Sequence, residues 1–179
     1  MSAGLLERER TTLVVVDVQE AFRKAVTGFE EVARRTAILV RGAQALGVPI
    51  VVTEQYPRGL GATVDDVQEA LGDAPRLAKT AFSAVRADGF DLGGRDQALV
   101  CGVEAHVCVA QTVIDLLAAG VEVQVAADAT ASRAVADRDT GLHRMERAGA
   151  TVTGTEAALF ELLGAAGTPE FKAVQELIK

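Results

Sequence analysis

LVCGVEAHVCVAQTVIDLLAAGVEVQVAADATASR, residues 99–133, decides the fold. A short apolar run from Gln97 to Gly102 is too brief for a helix and reads as a buried strand. Gly102 breaks it. His106 to Ala119 then carries apolar side chains at helical spacing, and Gly120 stops that helix. VEVQVAAD, 121–128, is a second short apolar run. Strand, helix, strand in this order is a βαβ unit, and its two strands lie parallel.

The same alternation extends both ways. TTLVVVD (11–17) is β-branched and apolar throughout, as strands covered on both faces are. A helix is expected over Phe29–Leu46, with Val32, Ile38, Leu39 and Ala43 on one face and Gly47 as its stop. PIVVTEQ (49–55) is the next strand. GATVDDVQEALG (61–72) is a short helix with Thr63 as cap and Asp66 at the capping-box position. RLAKTAF (76–82) is a weaker strand. After residue 128, Asp137 is expected to cap a helix to Ala148, ATVTG (150–154) to form the sixth strand, and Thr155 to cap ALFELLG. Pro169, after Thr168, opens a last helix to Ile178. The pattern predicts an α/β, doubly wound, Rossmann-like three-layer sandwich with a six-stranded parallel sheet, in a single domain over 1–179.

Composition excludes several classes. The 179 residues carry a formal charge of −7, with 49% hydrophobic and 24% charged side chains. The sequence pI is about 4.9. With no basic cluster, this argues against a nucleic-acid or anionic-membrane partner. Charges of both signs precede the first apolar run, unlike a signal peptide, and no stretch is long enough to span a membrane. Two cysteines suit a reducing compartment better than a disulfide framework. The expectation is a cytoplasmic protein acting on a small molecule.

Four chemical candidates fall at strand ends. Asp17 closes the first strand, Lys79 lies late in the third, Cys108 follows the fourth near a helix N-terminus, and Asp128 closes the fifth. In a parallel sheet these ends share one rim, where ligands of open α/β sheets bind. A free thiol is only about 3% ionised at pH 7 and needs help to attack. A helix N-terminus and Lys79 would favour the thiolate, and Asp17 would take its proton. From the residues alone, each has a plainer reading: Cys108 as a packed thiol, Asp17 as a turn cap, Lys79 as a solvated side chain. Phe82 is expected to pack, with a place in the substrate pocket as its alternative. Gln55 and Tyr56 follow the second strand and offer hydrogen bonds to a substrate. Phe22, in the loop after the first strand, is a further pocket candidate. Cys101, His106 and Cys108 lack CxxC or HExxH spacing, so no metal site is expected. The GLG at 59–61 and GG at 93–94 lack dinucleotide spacing. His143 reads as solvated.

VVVDVQEAF, TEQYPRGLG, KTAFS and the 99–133 stretch, in that order, resemble the isochorismatase-like cysteine hydrolases. The similarity continues through DRDTGLHRMERAGATVTG to the end of the chain and is closest to the small isochorismatase-domain proteins. The resemblance implies an Asp–Lys–Cys triad at Asp17, Lys79 and Cys108. It implies a cis peptide at Val103–Glu104 that aims the Glu104 amide, beside that of Cys108, at a substrate oxyanion. It also implies a homo-oligomer, for which the apolar helical face in FELLGAAGTPEFKAVQELIK is a candidate surface. Two departures narrow the subclass. TEQYPRGLGATVDDV has no His, unlike the metal-binding nicotinamidases of the family, so no metal and no cofactor is expected. Isochorismatases proper typically lack the cysteine that stands here at 108. The implied activity is hydrolysis of a small amide or related C–N bond through a Cys108 thioester. The alternatives are vinyl-ether hydrolysis and a binding or scaffold role.

Overall fold

The computed structural model describes residues 4–179. The first three residues, part of the expected 1–179 span and of the signal-peptide argument, lie outside the described residues. The elements in chain order are β1 (Thr11–Val16), α1 (Phe29–Leu46), β2 (Ile50–Gln55), α2 (Pro57–Leu60), α3 (Asp65–Leu71), β3 (Arg76–Lys79), β4 (Gln97–Val103), α4 (Ala110–Ala118), β5 (Glu122–Ala131), α5 (Val135–Ala148), β6 (Thr151–Thr153), α6 (Thr155–Leu163) and α7 (Pro169–Ile178). The strands form one six-stranded sheet of order β3-β2-β1-β4-β5-β6, and every pairing is parallel. The order reverses between β1 and β4, so the crevice for ligands falls beyond the C-terminal ends of those two strands.

Period-two alternation explains the layers. Leu13, Val15, Leu99, Cys101 and Val103 face one way, into a core with α1, α3, α6 and α7. Val14, Val16, Ala98 and Val100 face the other, into a core with α4 and α5. Both faces are covered, so the central strands are apolar without interruption, as the sequence predicts. Helix α1 ends at Gly47, whose φ of 68° is left-handed, and the Val48 amide returns to the Ala43 carbonyl. The edge strands β3 and β6 are the shortest, which limits their exposed backbone.

Several boundaries differ from expectation, each for a local reason. Thr63 does not cap α3. Its amide and Oγ1 both donate to Glu54 Oε1, at 2.8 and 2.7 Å, and the helix starts at Asp65 after Val64. Asp137 lies inside α5, which starts at Val135 after Ala134. Thr155 is the first residue of α6 rather than its cap, and its amide and hydroxyl both donate to Asp128 Oδ1. Strand β3 stops at Lys79, since beyond it the chain turns back to offer the Ala81 and Phe82 carbonyls to the Lys79 ammonium. Strand β5 runs on to Ala131 through an irregularity: Val100 pairs with Val125, but Gly102 pairs with Thr130. The Arg138 guanidinium takes the freed carbonyls of Ala127 and Thr130. The helix expected from His106 begins instead as a π-helical turn, Ala105–Val109, and continues as α4. Helix α2 occupies a stretch with no clear structural signal in the sequence.

Candidate active site

Three of the four strand-end candidates meet. The Lys79 Nζ lies 2.7 Å from Asp17 Oδ2, with both side chains almost wholly excluded from solvent. Thr53 Oγ1 donates to the other carboxylate oxygen, Oδ1, at 2.7 Å. The Cys108 thiol, nearly buried, completes the cluster: the Asp17 carboxylate and the Lys79 ammonium both bear on it electrostatically. The fourth candidate, Asp128, is elsewhere. Because β5 continues past it, its carboxylate serves the first turn of α6 and lies 3.7 Å from Arg35.

Local structure brings these groups together. Val16 and Gly102 are register partners on β1 and β4. Gly102 has φ of 129°, and a Cβ there would meet the Val16 carbonyl oxygen at 2.0 Å, so only glycine lets the two strand ends approach. Asp17 follows with φ of 55°, a left-handed conformation rare outside glycine and a form of local strain found at functional sites. It turns the side chain towards β2 and β3. The Val103–Glu104 peptide is cis, in agreement with what the family resemblance implies.

The electrostatics follow from burial. Lys79 donates to Asp17, to Gln55 Oε1 at 2.7 Å and to the Phe82 carbonyl at 3.0 Å, with the Ala81 carbonyl at 3.3 Å. Such a cage of acceptors suits an ammonium with three protons to give. Burial pushes the Asp17 carboxyl above the usual range even though Lys79 pulls it down, which favours a group able to accept and return a proton. Burial, reinforced by the Asp17 charge, pushes the Cys108 thiol up to about 12. Lys79 acts on the thiol with the expected sign but is outweighed. The resting thiol is therefore protonated, and a thiolate forms only as its proton leaves.

Of the other sequence candidates, Gln55 joins the cluster through Lys79. Tyr56 is exposed, with φ of 36°. Phe82 was expected to pack and instead is 52% exposed; its carbonyl, not its ring, touches the cluster. Phe22 packs on the core around α1. Glu104 is nearly buried and accepts from Arg133. Cys101 is fully buried, with Thr36 as its neighbour. His143 is exposed, as expected. Sequence reasoning missed Thr53 and Gln19. The Gln19 amide nitrogen donates to the Gln55 and Gly61 carbonyls, and its Oε1 accepts the Gln55 amide, pinning the loop after β1 to β2. A polar Thr in the middle of a buried strand was the available signal for Thr53. A recess of about 520 Å³, lined by Tyr56, Arg58, Lys79, Arg86 and neighbours, runs along the open edge of β3. Neither Asp17 nor Cys108 lines it, so it adjoins the cluster without exposing its reactive atoms.

A doubly wound parallel sheet with a buried carboxylate, ammonium and thiol clustered at its switch point defines the class: an α/β protein with perturbed titratable groups where such sheets bind ligands. The chain belongs to the isochorismatase family: the Isochorismatase domain matches residues 11–157. Isochorismatase domain-containing protein 2 of Pongo abelii is 42% identical over 181 residues, covering 99% of this chain and 87% of that protein. Isochorismatase domain-containing protein 1 of Salmo salar is 41% identical over 180 residues. The chain spans 63% of that longer relative. A solved structure described as MAR1 ribonuclease from Caenorhabditis elegans is similar with a TM-score of 0.91 and 38% identity, covering 97% of this chain and 92% of that one.

Proposed function

We propose that this protein is a single-domain cysteine hydrolase that cleaves a small amide or related C–N bond. The observation that carries the reading is the buried Asp17–Lys79 pair with the nearly buried Cys108 thiol beside it. A buried ion pair rarely repays its desolvation, so its presence at the ligand-binding crevice favours function over stability.

The steps balance around Asp17. It takes the thiol proton as Sγ bonds to the carbonyl carbon, and the oxyanion is held by amides at the start of the turn, those of Glu104 and Cys108. The C–N bond then breaks, and the protonated Asp17 returns the proton to the leaving amine. Water, deprotonated by Asp17, attacks the thioester; the acid leaves and the thiol recovers its proton. Lys79 keeps Asp17 oriented and limits how far burial raises it. No step calls for a metal or organic cofactor. Tyr56 and Phe82, both exposed near the cluster, are the substrate-facing side chains of this scheme.

The test is amine release from a panel of small amides, with iodoacetamide labelling of the folded protein followed by intact mass. Turnover lost in Cys108→Ala and in Asp17→Asn, with labelling confined to Cys108, is the expected result. Turnover of a vinyl ether that survives Cys108→Ala but not Asp17→Asn would replace this reading with vinyl-ether hydrolysis. A fold that binds but turns over nothing would make it a scaffold. The C. elegans relative's description raises ribonuclease activity; a formal charge of −7 opposes RNA binding, and incubation with labelled RNA decides it. No helix among the described residues is long and apolar enough to cross a membrane. The two free cysteines favour a reducing compartment, so the reading includes a cytoplasmic homo-oligomer.

A further inference from the structure

The segment after β5 grips the turn that carries Cys108 at three points. Arg133 donates to Glu104 Oε1 from its Nε at 2.8 Å and from its backbone amide at 3.1 Å. Ser132 Oγ lies 3.0 Å from His106 Nδ1. Gly141 on α5 sits so close that a Cβ would come within 2.8 Å of the Ala105 carbonyl carbon and the His106 amide nitrogen. Glu104 heads this turn: its carbonyl accepts the amides of Val107 and Val109, both at 3.1 Å. Its side chain is only 10% exposed, whereas that of Arg133 is 63% exposed. Arg133 is therefore not held there by packing.

The charged groups around the thiol come from several elements. Asp17 follows β1 and Lys79 ends β3. Glu104 lies on the thiol's own turn, with Arg133 behind it. His106 is two residues away, its Nε2 4.0 Å from Asp137 on α5. On α4, Asp115 is paired with Arg86 at 3.2 Å. Glu104 is one of the negative groups that raise the thiol.

We propose that Arg133 is a positioning residue for the Cys108 nucleophile. Its guanidinium holds the Glu104 carboxylate at the head of the turn, which directs the turn's first amides and partly offsets that negative charge beside the thiol. This rests on the nucleophile reading above. The effect is electrostatic as well as geometric, because a nearby unpaired anion disfavours a thiolate.

The experiment is the rate of Cys108 alkylation by iodoacetamide, followed by intact mass from about pH 6 to about pH 10. Wild type is compared with Arg133→Ala, Arg133→Lys and the double variant Arg133→Ala/Glu104→Gln. Arg133→Ala is expected to move the profile to higher pH and to slow labelling about tenfold near neutrality, the effect of about one unit in the thiol. Arg133→Lys keeps most of the rate, and the double variant returns to within about twofold of wild type. Thermal melting of Arg133→Ala should change little, which separates positioning from folding. Superimposable profiles for wild type and Arg133→Ala overturn the assignment, as does a double variant no faster than Arg133→Ala. Amide turnover that survives Cys108→Ala sinks the nucleophile reading, and this inference with it.

Discussion

Asp17 and Lys79 are each sheltered from water and depend on one another. Removing one leaves the other charged and unpaired, so Lys79→Met should destabilise the protein by about 3 kcal/mol. Asp17→Asn/Lys79→Met should cost clearly less than the two single changes together, and urea unfolding of the four proteins measures the coupling. Additive losses would mean that the pair is not coupled as the 2.7 Å contact implies. The thiols make a second prediction. Burial pushes both Cys101 and Cys108 up to about 12, so the folded state holds protons that the unfolded chain releases near pH 9. Their contribution to stability is fully present below about pH 9 and is lost as pH rises towards about 12. Denaturant midpoints against pH should therefore fall more steeply for wild type than for Cys101→Ala/Cys108→Ala across that window. A residue-scale reading of sequence could nominate Asp17, Lys79 and Cys108 from their chemistry. It could not see Thr53 as the second partner of the carboxylate, because that contact joins residues 36 positions apart on neighbouring strands.

Among the elements, β4 and its turn carry most of the design. Gly102→Ala would place a methyl against the Val16 carbonyl and force a side chain to φ of 129°. We expect a loss of at least about 3 kcal/mol, or a folded protein in which Cys108 no longer alkylates, since the approach of β1 and β4 sets the Asp17–Cys108 contact. Calorimetry and labelling of the same sample distinguish the two. Helix caps were the least legible feature. Thr63, Asp137 and Thr155 each have the right chemistry for a cap, but Glu54 holds Thr63, Asp128 receives Thr155, and α5 starts two residues before Asp137. Capping signals describe local competition, and a partner from another strand wins it without leaving a trace nearby in sequence.

At the scale of the whole molecule, the apolar face of the C-terminal segment is already used. Val174 on α7 is fully buried in the core shared with α1, and Leu177 and Ile178 pack against it. Val174→Asp should therefore lower the melting temperature sharply, and association should not depend on that face. Light scattering on the purified protein is expected to give a multiple of 18.7 kDa, and to give the same multiple when Phe171, a partly exposed residue of α7 near Phe160, is changed to Ser. The sequence by itself determined the layers. Runs that are apolar at every position require a sheet covered on both faces, and strand–helix alternation requires parallel strands, because each crossover has to return to the same edge. It also determined which residue types could do chemistry at the strand ends. Only the tertiary structure decided which of those ends meet. Strand order, the switch point between β1 and β4 and the irregularity that carries β5 past Asp128 depend on contacts between segments far apart in the chain. Those contacts exclude water, and exclusion of water sets the protonation of Asp17 and Cys108, which no local spacing encodes.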